Sequence, residues 1–253
     1  MTIHDLSNQV AVVTGGNGGI GLGFATGCAR AGASVAVWAR KADKSASAVE
    51  SLRALGVEAI AVTCDVADED SVVAARGETV ERLERIDICV ANAGTAGFGQ
   101  LQDLSLAEWR RMMSVNLDGA FLTFRECARQ MIEQNEGGAM VAVSSTSAVH
   151  GAPANPHYGA SKTALLGLVR ASAVGLAREN IRVNAVLPGW TRTDMANAGY
   201  ENDRFRDATT RRTPVRRWAT GDDYESLAAY LCDKSVLWHT GDSITADGGY
   251  TIF

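Results

Sequence analysis

Seven short runs rich in β-branched residues recur along the chain, and most are apolar at every position rather than at every second one. They are "VAVVT" (Val10–Thr14), "SVAVW" (Ser34–Trp38), "EAIAVTCDV" (Glu58–Val66), "IDICVANAG" (Ile86–Gly94), "GAMVAVSS" (Gly138–Ser145), "IRVNAVLP" (Ile181–Pro188) and a short run near Ser243–Ala246. A strand with one wet face alternates apolar and polar residues; a strand covered on both faces does not. The chain therefore needs helices above and below one parallel sheet. Helical patterns between the runs cover Ile20–Ala31, stopped by Gly32, and roughly Asp43–Leu55, with Gly56 beyond. The acidic "ADED" opens another helix, where negative charge suits the dipole. Ser105 and Glu108 make an S-x-x-E capping box for a helix carrying Trp109 and Met112, and Tyr158–Arg178 is a long helix. Strand–helix alternation with short connections gives a doubly wound α/β sheet with helices on both faces, a three-layer sandwich read as one domain over residues 1–253.

The bulk properties exclude several function classes. A net charge of −5 argues against a nucleic-acid footprint. No apolar run is long enough to span a membrane, and the N-terminus lacks a basic segment followed by an apolar one. Cys28, Cys64, Cys89, Cys127 and Cys232 lie in apolar segments without C-x-x-C spacing. They read as reduced, buried thiols of a cytoplasmic protein, and no histidine–cysteine spacing suggests a metal.

"TGGNGGIG" (Thr14–Gly21) joins the first strand to the first helix. Backbone amides must come close to a dinucleotide pyrophosphate, Cβ atoms would obstruct them, and the helix N-terminus adds a favourable dipole. Gly15, Gly19 and Gly21 take that part, with Asn17 and Ile20 as loop contacts; glycine-rich turns also occur as plain structural turns, so position after a strand and before a helix matters. At the end of the second strand stands "WARK", with Arg40 and Lys41 and no carboxylate. An acidic residue there would bind the ribose hydroxyls of NAD, whereas arginine accepts the 2′-phosphate of NADP. NADP is favoured and NAD stays open, because Arg40 and Lys41 also read as the start of a solvated helix. Asp65 and Val66 end the third strand where an adenine edge would lie, and Asn92, Ala93 and Gly94 end the fourth with small residues.

"NPHYGASKTALLGL" (Asn155–Leu168) places Tyr158 and Lys162 at i and i+4 of one helix face. Free tyrosine titrates near pH ~10. An ammonium about 4 Å away, at an effective dielectric of about 20, stabilises phenolate by roughly 4 kcal/mol, or about 3 pK units. Such a phenol exchanges protons near neutrality. The bland alternative is a half-buried aromatic beside a snorkelling lysine.

These motifs, with Asn116, "SS" at Ser144–Ser145, "LPGW" and "DGG" (Asp247–Gly249), follow the order and spacing of the short-chain dehydrogenase/reductase family, which the chain resembles from Leu6 onward. The resemblance implies a Rossmann-type fold, a nicotinamide cofactor and alcohol–carbonyl interconversion. It assigns the acid/base to Tyr158, its partner to Lys162, the carbonyl-orienting hydroxyl to Ser145 and a water-holding helix residue to Asn116. Ser144 would pack back against the sheet, and Ser147 ranks below Ser145. The resemblance sets Pro188, Gly189, Thr191 and Thr193 against the carboxamide, with Thr193 fitting the spacing better than Thr191. It also implies a homotetramer, through the many-faced apolar helix carrying Leu165, Leu166, Leu168, Val169, Val174 and Leu176.

Specificity belongs to loops near Thr95–Gln100, Thr146–His157 and Trp190–Trp218. Arg204, Arg206, Arg211, Arg212, Arg216 and Arg217 read either as an anion site or as a solvated lid paired with Glu201, Asp203 and Asp207. His150 and His157 read as pocket or surface residues. The leading function is an NADP(H)-linked reductase or dehydrogenase of a ketone or secondary alcohol, with 3-oxoacyl thioesters, sugars and cyclic alcohols as candidates. The alternatives are an NAD enzyme running oxidatively and a nucleotide-binding regulator without turnover.

Overall fold

The computed structural model describes residues 4–151 and 154–253. The elements run β1 (Val10–Thr14), α1 (Gly19–Arg30), β2 (Ser34–Ala39), α2 (Ala42–Arg53), β3 (Ala59–Thr63), α3 (Glu69–Leu83), β4 (Ile88–Ala91), α4 (Leu106–Met113), α5 (Gly119–Gln134) and β5 (Gly138–Val143). They continue α6 (Pro156–Leu176), β6 (Ile181–Pro188), α7 (Asn197–Glu201), α8 (Asp203–Arg212), α9 (Glu225–Cys232) and β7 (Ser243–Ala246). The sheet is wholly parallel in the order β3-β2-β1-β4-β5-β6-β7. The predicted Rossmann-like three-layer architecture is thus the observed one.

Continuous apolar strands follow from two cores, one on each face of the sheet. Along β1, Val10 and Val12 join Trp38, Met140 and Leu165 on one side. Ala11 and Val13 join Phe24, Val141 and Leu231 on the other. In β1, β4, β5 and β6 every position is buried, worth roughly 1.5–3 kcal/mol for each large aliphatic fully buried. The five cysteines are free and buried. Trp38 is fully buried, and its Nε1 donates to Thr79 Oγ1 at 2.9 Å.

Order reverses between β1 and β4, since β2 and β3 leave β1 in one direction and β4 begins the other half. That switch point opens a crevice beyond the carboxyl ends of the strands. Thr14 Oγ1 pins it, accepting the backbone N–H groups of Asn92 and Ala93 at 3.0 Å each.

Several elements depart from the sequence reading. The strands predicted over Glu58–Val66, Ile86–Gly94 and Gly138–Ser145 are shorter, leaving Asn92–Gly94 and Ser144–Ser145 as post-strand turns. Ser105 caps α4 through Glu108 N at 3.1 Å, but the box is only half made. The Glu108 carboxylate turns to Arg111 instead, with two contacts of 2.7 Å. Between α4 and α5 the backbone widens into a π-turn over Ser114–Asp118. No helix among the described residues is long and apolar enough to cross a membrane.

Candidate active site

A cleft of about 770 Å³ occupies the switch point. Its floor is the glycine turn. Gly15 and Gly19 adopt φ of +62° and +53°, left-handed values that favour glycine. A Cβ on Gly19 would meet Thr193 Cγ2 at 2.7 Å. Helix α1 has no side-chain cap and no acidic residue in its first turn, so its leading N–H groups face the cleft unanswered. An uncapped, glycine-lined helix start is the cradle a pyrophosphate requires, and the residues present fit a dinucleotide.

Of the sequence-named residues, Gly15, Asn17, Gly19, Ile20, Asn92, Ala93, Gly94, Ser145, Tyr158, Lys162, Pro188, Gly189, Thr191 and Thr193 border this cleft. The rest stand elsewhere. Gly21 is buried, and a Cβ there would collide with Asn92 Nδ2 and the Gly15 carbonyl oxygen, so its smallness serves helix–turn packing. Arg40 and Lys41 are exposed and do not border the cleft; the Arg40 guanidinium lies 3.8 Å from the Asp65 carboxylate. Asp65 also stays off the cleft walls, and Val66 is buried against Gly119.

At the chemical end, β5 delivers Ser144 and Ser145 opposite the first turn of α6. Ser144 is buried, and its Oγ donates to the Lys162 carbonyl at 2.8 Å, so Ser145 is the serine whose hydroxyl serves the cleft. Ser145 Oγ accepts Ser147 N at 3.1 Å, and its hydroxyl favours the ionised form of the Tyr158 phenol. Lys162 is buried; its Nζ donates to the Val143 carbonyl at 2.9 Å and lies 5.8 Å from the Tyr158 ring centroid. Asn116 is buried within the π-turn, away from the cleft walls. Its Oδ1 accepts Thr95 N at 2.8 Å, and its Nδ2 donates to Thr95 O and Ser161 Oγ at 3.0 and 3.1 Å. It ties the post-β4 loop to α6. A Cβ on Gly94 would lie 3.3 Å from Asn116 Oδ1 and 3.5 Å from Lys162 Nζ, so the two side chains converge on one point.

The electrostatics correct the sequence expectation. Burial pushes the Tyr158 phenol up, opposed only by the Ser145 hydrogen bond, and pulls Lys162 down to about 8. Burial, and not attraction between a phenolate and an ammonium, gives both shifts their direction. Both lie in a low-dielectric wall, and the ammonium is turned to Val143.

The two threonines separate. Thr191 is buried with its hydroxyl engaged by Tyr224 OH at 2.7 Å and Gly189 O at 3.0 Å, whereas Thr193 faces the glycine turn. His157 is fully buried, with Nε2 3.4 Å from Glu108, and is neither pocket nor surface residue; His150 does border the cleft. None of the six arginines between Arg204 and Arg217 borders it. Arg206 pairs with Asp203 at 2.7 Å and Asp207 at 3.8 Å, Arg217 reaches Asp223 at 2.7 Å, and Arg212 covers the Tyr250 ring at 4.4 Å. Glu201 bonds Asn197 instead of an arginine, at 2.7 Å.

Sequence reasoning missed Lys44, which reaches over the glycine turn to Asp194 at 2.6 Å, and the inward aromatics Trp190 and Phe205. The aromatics fall inside a loop already named for specificity; nothing local in "KADKS" singles out Lys44. Residues 152 and 153 of the Thr146–His157 loop lie outside the described residues.

A glycine-cradled dinucleotide cleft with a serine, a tyrosine and a lysine at its far end defines the class: a Rossmann-type oxidoreductase. A family model described as Enoyl-(Acyl carrier protein) reductase matches residues 15–251. L-rhamnose 1-dehydrogenase (NAD(P)(+)) of Azotobacter vinelandii is 36% identical over 248 residues, 96% of this chain and 97% of that one. A short-chain type dehydrogenase/reductase from Mycobacterium marinum superposes with a TM-score of 0.93 at 34% identity, covering 98% and 97% of the two chains. A gluconate 5-dehydrogenase from Burkholderia cenocepacia, solved with NADP and tartrate, gives 0.92 at 32% identity and 98% and 97% coverage. The chain belongs to the short-chain dehydrogenase/reductase family, NAD(P)-dependent enzymes acting on CH–OH groups.

Proposed function

We propose that the protein interconverts a ketone and a secondary alcohol with NADP(H), using Ser145, Tyr158 and Lys162. The observation that carries this reading is the meeting of Ser145, Tyr158 and Lys162 on the walls of one cleft whose other end is the uncapped glycine turn. When bound, the dinucleotide supplies or accepts the hydride. The side chains do the rest. Ser145 Oγ donates to the substrate oxygen and orients it. The Tyr158 O–H gives its proton to that oxygen in reduction, or its oxygen takes one in oxidation. Burial raises the Tyr158 phenol, so at neutral pH it carries the proton that the acid role in reduction requires. Lys162, pulled to about 8, holds or releases a proton near neutrality, so it can resupply Tyr158. Asn116 is a positioning residue that fixes the loop before Thr95 against α6 beside that ammonium.

NADP is favoured by the absence of a carboxylate at the end of β2 and by NADP in the related gluconate 5-dehydrogenase structure. The pairing of Arg40 with Asp65 at 3.8 Å supports NAD as the second reading. Rates for a panel of ketones, sugars and acyl thioesters with each cofactor test both. A KM for NADPH at least about 10-fold below that for NADH is expected, about 1.4 kcal/mol of phosphate recognition. The reverse order selects NAD, and dinucleotide binding without turnover on any carbonyl selects a regulator. A cytoplasmic homotetramer is the proposed assembly, supported by Val174 on α6, which is 82% exposed, and Phe121 on α5, which is 45% exposed.

A further inference from the structure

The substrate end of the cleft holds two buried polar atoms without partners: His150 Nε2 and Asn155 Oδ1. Buried polar atoms are nearly always satisfied, so two such atoms on one wall call for a ligand. Both side chains also border an adjoining recess of about 450 Å³ beside Pro156 and Gly159. Their chemistry is matched. His150 Nδ1 faces the Gly151 carbonyl at 3.4 Å, and a carbonyl only accepts, so the ring proton sits on Nδ1 and Nε2 presents a lone pair. Asn155 occupies the N-cap of α6, where asparagine ordinarily binds the first N–H groups of the helix. Its side chain makes no such bond here, which leaves Oδ1 free for the cleft. Both atoms are acceptors, so what either lacks is a donor from a ligand.

The wall facing them carries large apolar side chains. Phe98 is 84% exposed and Met195 50% exposed, both bordering the cleft beside Trp190 and Phe205. Among the described residues the only charged side chains on the walls are Lys44, Asp194 and Lys162. Lys44 and Asp194 neutralise one another at 2.6 Å, and Lys162 is buried on Val143. A carboxylate substrate finds no free cation there.

Resting on the oxidoreductase reading above, we infer that the substrate is a largely apolar ketone or secondary alcohol bearing a neutral hydroxyl away from the reacting carbon, whose O–H is received on the wall that His150 and Asn155 form.

The test uses 1-tetralone, its 6-hydroxy and 6-methoxy derivatives, and 5-ketogluconate, each with NADPH and NADH. The methoxy compound has the shape of the hydroxy one but no donor. For the wild-type protein, kcat/KM for the hydroxy compound should exceed that for the methoxy compound by about 10-fold or more, the discrimination two buried acceptors give for one donor. In His150→Phe, which keeps a ring against Tyr250, and in Asn155→Ala, that ratio should fall to within about 3-fold; His150→Gln, which restores an acceptor, should recover part of it. A wild-type ratio near one, a ratio that survives both substitutions, or 5-ketogluconate as the better substrate overturns the inference. If tetralone itself is reduced while the ratio is flat, the oxidoreductase reading stands and only the hydroxyl assignment fails. If none of the four is turned over but a member of the wider panel above is, the inference fails and the oxidoreductase reading stands; if dinucleotide binds and nothing in either set is turned over, both fail.

Discussion

Replacing Lys162 with methionine should make the protein more stable at neutral pH while removing its activity. Lys162 is 4% exposed, and burial moves its proton affinity from 10.5 to about 8. Each pK unit corresponds to about 1.4 kcal/mol, so the charged side chain costs the folded state about 3 kcal/mol at pH 7. Methionine fills the same volume without charge but gives up the bond to the Val143 carbonyl, worth about 1 kcal/mol. The net gain is about 2 kcal/mol, or a Tm rise of about 4–8 °C for a chain of this size. The sign of the pH dependence follows. Between about 8 and 10.5 the unfolded chain binds more protons at this site than the folded one, so wild-type stability rises with pH there. The advantage of Lys162→Met should therefore be full below pH 8 and should vanish toward pH 10.5. Urea unfolding of both ligand-free proteins at pH 7 and pH 10 measures it. A variant less stable than wild type at pH 7, with a difference indifferent to pH, would refute the reasoning.

Two further substitutions probe the frame. Gly21→Ala places a methyl against Asn92 Nδ2 and the Gly15 carbonyl; it should cost about 3 kcal/mol and lower Tm by about 6–12 °C, and a Tm within 2 °C of wild type on a thermal scan contradicts that packing role. Val174→Glu changes an exposed residue of α6 and should alter the stability of an isolated chain by no more than about 0.5 kcal/mol, yet break the proposed tetramer. Light scattering should show wild type at four chain masses and the variant at fewer; a wild-type monomer of 26.7 kDa removes the assembly proposal.

Much of this molecule is legible from its residues, and what is not has physical causes. The runs from Val10 to Pro188 announce strands because cores on both faces of the sheet make most of their positions apolar. Helix α5 escapes the same reading: it begins at Gly119, out of a π-turn that shifts the helical phase, so no local cap marks its start. The i, i+4 spacing brings Tyr158 and Lys162 to the cleft, but spacing carries no information about burial. Desolvation therefore reverses the direction expected for the phenol. The arginines between Arg204 and Arg217 suggest an anion site only while their partners are unknown; Asp203, Asp207, Asp223 and the Tyr250 ring account for three of them. Asn155 illustrates the opposite case: its position promises a cap, and the fold gives its side chain to the cleft.

The central claim is that the Tyr158 hydroxyl delivers the proton while the glycine turn, acting separately, holds the dinucleotide. NADPH consumption with a ketone that the wild type reduces, followed at 340 nm for Tyr158→Phe alongside NADPH binding by fluorescence, measures it most directly. Turnover should fall by at least about 1000-fold, within the range for losing a positioned acid plus its orienting hydrogen bond, while Kd moves by less than about 3-fold. A phenylalanine variant that oxidises NADPH at the wild-type rate would contradict the account.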